Sequence, residues 1–134
     1  MTHHARGTFE VTLTPQSPGD HPDDAAVSLL IIDKRFLGDL EGTSRGRMLS
    51  AMTSVQGSAG YVALERVSGT LHGRRGTFVL QHSGTMRRGA PQLAVTVVPD
   101  SGTGELAGLA GQLSIIIAGG QHSYELEYTL GADG

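Results

Sequence analysis

The chain contains no cysteine. That excludes disulfides, thiolate metal sites and a cysteine nucleophile, and it fits a cytoplasmic setting. Asparagine and tryptophan are missing too, so there is no N-glycosylation acceptor. Aromatic side chains are scarce: three tyrosines and three phenylalanines, none interleaved with the arginines. With a formal charge of −3 and a pI near 6.0, this argues against nucleic-acid binding. The longest apolar run, Leu29-Leu30-Ile31-Ile32, is far too short to span a bilayer. Met1 to Arg6 lacks the apolar core of a signal peptide, so no membrane contact is expected. The histidines show no His-x-His or His-x-x-x-His spacing, and no metal is expected. No cofactor loop is expected either. Gly102-Thr103-Gly104 lacks phosphate-loop spacing and a following helix, which leaves a tight turn.

Glycine is in excess, at 20 of 134 residues. The glycines recur beside β-branched runs, as turns, bulges and barrel corners require. Between them, strand periodicity dominates. Thr8 to Thr14 is apolar at odd positions, and Val27 to Lys34 is apolar on both faces in its middle. Leu40 to Met52 puts Glu41, Thr43, Arg45 and Arg47 on a face that should meet water. Gly60 to Gly69 and Thr70 to His82 read as a hairpin, and Leu93 to Val98, Leu113 to Ala118 and Ser123 to Leu130 complete the set. Gly104 to Gly111 allows a helical turn at most. The length suits one domain, residues 1–134, with about residues 1–5 loose. Eight short strands imply an all-β antiparallel sandwich or barrel, and closure into a barrel removes exposed edges. At eight strands the interior is either filled by side chains or holds one small ligand.

Two segments carry a resemblance. One runs from Gly38-Asp39-Leu40-Glu41-Gly42 through Gly60-Tyr61-Val62-Ala63-Leu64-Glu65 to Gln81-His82-Ser83-Gly84-Thr85. The other runs from Val97-Val98-Pro99-Asp100-Ser101-Gly102-Thr103-Gly104 to Gly108 and Gly111, and closes with His122-Ser123-Tyr124-Glu125. Together they resemble a bacterial family of small β-barrels known as a domain of unknown function. The glycine signature is distantly similar to that of allene oxide cyclases and dirigent proteins. That resemblance implies a single eight-stranded calycin-like barrel with a mostly apolar lumen, assembled as a homo-oligomer, a dimer or trimer. It transfers no catalytic residue.

The hairpin supplies the chemistry. A turn centred on Gly73-Arg74 sets Glu65 opposite His82, Ala63 opposite Gly84 and Val67 opposite Leu80, with Cβ atoms about 5 Å apart. Phe78, His82 and Tyr61 then share the inner face with Glu65. A carboxylate beside an imidazole orients it and raises its basicity, which suits acid–base catalysis by Glu65 and His82. The same pair also serves as a hydrogen bond that satisfies two buried groups. Tyr124 and Tyr128 point inward on the last strand, as ligand contacts or as core. Met48 and Met52 would give an adaptable wall or plain filling. Gly42-Thr43-Ser44-Arg45-Gly46 matches a hydrolase elbow, but the residues after Gly46 keep a strand pattern where the elbow needs a helix. Three functions fit: a barrel holding a small, largely apolar ligand; an isomerase or cyclase using Glu65 and His82; and an oligomeric scaffold without ligand.

Overall fold

Each alternating segment becomes one strand. In the computed structural model, which describes residues 1–131, the strands are β1 (His3–Pro15), β2 (Ser28–Gly38), β3 (Leu40–Met52), β4 (Ala59–Leu71), β5 (Arg74–Arg87), β6 (Ala90–Val97), β7 (Leu109–Ala118) and β8 (Gln121–Leu130). They pair antiparallel in chain order, and β8 returns to β1, so the sheet closes into an eight-stranded barrel. Two single 3-10 turns, Pro22–Ala25 and Gly104–Leu106, interrupt it. β1 begins at His3, inside the stretch expected to be loose, because His3 to Phe9 pair with Tyr128 to His122 of β8. Ala5 is fully buried there.

One end of the barrel is packed solid. Phe36, Leu40, Leu71, Phe78 and Tyr124 meet there, and Leu106 from the second 3-10 turn plugs the base. Tyr124 is anchored by its hydroxyl, which accepts from the Leu40 amide at 2.8 Å and sits 3.0 Å from the Leu37 carbonyl. The opposite end is open. By strand alternation Leu13, Met52, Met86, Leu93 and Ile117 share the inner face with buried residues below them, yet their exposures run from 44% to 81%. The inner wall is therefore largely apolar at both ends, but it is covered only in its lower part.

The central hairpin differs from expectation in register. Its turn residues are His72 and Gly73, with φ of 46° and 80°. A two-residue hairpin loop of this kind needs positive φ at both positions, and it places glycine second. The turn thus lies one residue earlier than Gly73-Arg74. Glu65 faces Leu80 directly, Ala63 faces His82, and Val67 faces Phe78. A slip of two residues keeps every side chain on its original face, so Glu65 and His82 still meet, now on the diagonal.

Candidate functional site

The polar centre of the lumen is built from four strands. β2 supplies Lys34, β3 supplies Ser44, β4 supplies Glu65 and Tyr61, and β5 supplies His82. Glu65 is 1% exposed and sits at the hub. Its Oε2 accepts from Lys34 Nζ at 2.8 Å and from His82 Nε2 at 2.7 Å; its Oε1 accepts from the Ser44 hydroxyl at 3.0 Å. Lys34, the only lysine of the chain, lies 5.0 Å from the centre of the Phe9 ring and 5.8 Å from that of Phe36. The cation is thus shared between a carboxylate and two aromatic faces. Among the described residues, no buried side-chain nitrogen or oxygen lacks a partner.

The electrostatics follow from this wiring. Burial pushes the Glu65 carboxyl up, but the His82 hydrogen bond and the Lys34 ammonium together outweigh it, and the carboxyl titrates below its ordinary range. Glu65 is therefore an acceptor only, so His82 Nε2 carries the proton. In the neutral ring Nδ1 is then the free acceptor. It faces the Tyr61 hydroxyl at 3.5 Å, on the side of the open end. Burial and the Glu65 charge raise the Tyr61 phenol above its usual value, so it stays protonated and can donate. Tyr61 fits because Gly84 lies directly opposite it. A Cβ on Gly84 would come within 2.5 Å of the Tyr61 ring. The group can bind a polar atom at Tyr61, orient it toward the His82 imidazole, and take or return a proton there.

The residues expected at a site fall into two groups. Glu65, His82 and Tyr61 are brought together, and half-buried Met48 pairs with Ala63 just above them. Met52 is on the outer rim of the mouth, 81% exposed. Phe78, Tyr124 and Tyr128 lie in the packed end, away from the opening. The Tyr128 hydroxyl bonds to His72 Nδ1, and His72 Nε2 is 3.6 Å from Asp39. Ser44 sits within β3, buried and bonded to Glu65, so Gly42 to Gly46 is a strand and not a nucleophile elbow. Lys34 and Ser44 are hydrogen-bonded neighbours of Glu65 that sequence reasoning does not assign to the site. The Gly102-Thr103-Gly104 segment is not the tight turn expected: Thr103 is extended, with φ of −128° and ψ of 167°, and caps the 3-10 turn that Gly104 opens, while its hydroxyl accepts from the Thr77 amide at 3.1 Å. Among the described residues no cluster of His, Asp or Glu is arranged to hold a metal. No helix there is long and apolar enough to cross a membrane.

A crystal structure of a protein of unknown function from Shewanella oneidensis MR-1, assigned to the DUF3224 family, is similar throughout. It is 48% identical, with 97% of this chain and 98% of that chain aligned at a TM-score of 0.90. No curated protein matches. The family described as Protein of unknown function (DUF3224) matches residues 5–128. On both grounds the chain belongs to the DUF3224 family.

Proposed function

We propose that the barrel binds a small, largely apolar molecule in the open half of its lumen, with Tyr61 and His82 as the polar contacts at the floor. The observation that carries this is the mouth. Leu13, Met86 and Leu93 are each 44% exposed and Ile117 66%, on the face that is core lower down. Apolar walls with a few convergent polar groups are the usual anatomy of a ligand site. An uncharged apolar fluorophore, N-phenyl-1-naphthylamine, is a direct probe. Its emission should rise on binding; Leu93→Lys or Ile117→Lys should abolish the rise, and Leu64→Lys on the outer wall should not. No rise, or a rise indifferent to the mouth variants, contradicts the proposal.

A second function is favoured by one detail, the His82 Nδ1 turned toward the opening with Glu65 behind it. This supports proton transfer to and from the bound molecule, as in an isomerase. Glu65→Gln would then abolish turnover of a substrate that the protein still binds.

A further inference from the structure

The outer wall of β2 to β5 carries a groove of about 930 Å³; Glu65 and His82 touch it where β4 and β5 cross it, but none of the mouth residues Leu13, Tyr61, Met86, Leu93 and Ile117 lines it. Strand register arranges its side chains in rows. Leu29, Leu49 and Val62 lie abreast across β2, β3 and β4; Ile31, Arg47 and Leu64 form the next row; Asp33, Arg45 and Arg66 form the third. Leu49, Val62 and Leu64 are about half exposed. A contiguous apolar patch of this kind on an outer surface marks a binding face.

The charges say what it binds. Arg45 and Arg66 stand directly opposite each other on β3 and β4, an arrangement that works against strand pairing. Arg47 adds a third cation on the diagonal. Asp33 is the nearest acid, at 4.0 Å from Arg45. Arg66 reaches the Thr77 hydroxyl at 3.4 Å, and Arg47 forms no salt bridge among the described residues. A carboxylate placed between Arg45 and Arg66 would relieve their repulsion and match the forked donors of the guanidinium groups. Leu64, and beyond it Leu49 and Val62, then offer an apolar track for an alkyl chain along the strands. A second copy seated symmetrically would bring the same patch, and three more arginines, against these three.

We propose that this groove binds a free alkyl carboxylate, with its head between Arg45 and Arg66 and its chain running past Leu64 toward Leu49 and Val62. The proposal is independent of the mouth and is tested with the mouth blocked. In a Leu93→Lys background, decanoate below its micellar concentration is titrated by calorimetry beside decanol. Decanoate should bind at least tenfold more tightly than decanol. The further pair Arg45→Gln with Arg66→Gln should weaken decanoate at least tenfold without lowering the melting temperature. Equal binding by that variant overturns the proposal, as does loss of decanoate binding on blocking the mouth. A dimer in sedimentation equilibrium that Leu64→Lys dissociates assigns the face to a second copy and overturns it too. So does capture on phosphatidylglycerol vesicles without binding of free decanoate.

Discussion

Lys34 is one cation among ten basic residues, and it is the one buried inside the barrel. A buried ion pair is costly to break, because removing one partner strands the other charge, typically at about 3–5 kcal/mol. Lys34→Met should therefore cost about that much in urea unfolding. Lys34→Met combined with Glu65→Leu should cost clearly less than the two single changes added together. Simple additivity would mean the two groups do not act as a unit. The pH dependence has a definite sign. Glu65 titrates below its ordinary value in the fold, whereas an unfolded glutamate takes up its proton near about pH 4.3. Its stabilising contribution is complete above that unfolded value and is lost as pH falls through the lower folded one. The melting temperature should fall on acidification below about pH 5, less steeply in Glu65→Gln; equal slopes would contradict this origin. Glu65, His82 and Tyr61 are legible in the sequence because alternation on β4 and β5 has a clear phase. Lys34 is not, because β2 is apolar on both faces: Leu30 and Ile32 point inward, while Leu29 and Ile31 line the outer groove. Without a phase, nothing marks the lysine as inward.

At the scale of the element, the strands are legible and their register is not. Periodicity locates all eight, since each has a buried face. The hairpin turn lies one residue from its expected place because histidine at positive φ, as at His72, is uncommon and sends no strong signal. The same two-residue solution recurs at Arg88-Gly89 and Gly119-Gly120, again with both φ values positive. Tight loops of one type let β4 to β6 and β7 to β8 follow each other without slack. β3 and β4 are held close by a different device. A Cβ on Gly46 would lie 2.5 Å from the Glu65 Cα, so any side chain there forces the strands apart beneath the polar hub. Gly46→Ala should destabilise by about 1–3 kcal/mol and displace the Glu65–His82 contact. The His82 ring signals in NMR report that displacement; unchanged signals with unchanged stability would show that the close approach carries no weight.

The whole molecule is a barrel with an unequal wall. β3, β4 and β5 pair along their full lengths, whereas β6 and β7 share a single registered pair, Thr96 with Gln112. Hydrogen exchange should be fastest along β6 and the upper part of β7 and slowest in β4; uniform protection around the barrel would contradict this seam. The packed end and the open end divide the inner face between a sealed core and the proposed binding half, and the Glu65 hub lies at the boundary. The methionines provide the most direct test of binding at the open end. Met48, Met52 and Met86 surround the mouth, and none lines the outer groove. Methyl NMR of ¹³C-methionine protein titrated with N-phenyl-1-naphthylamine should show these three signals shifting together and saturating together, with Met1 unmoved. If the probe binds and the three methyls stay in place, the ligand is not in the lumen.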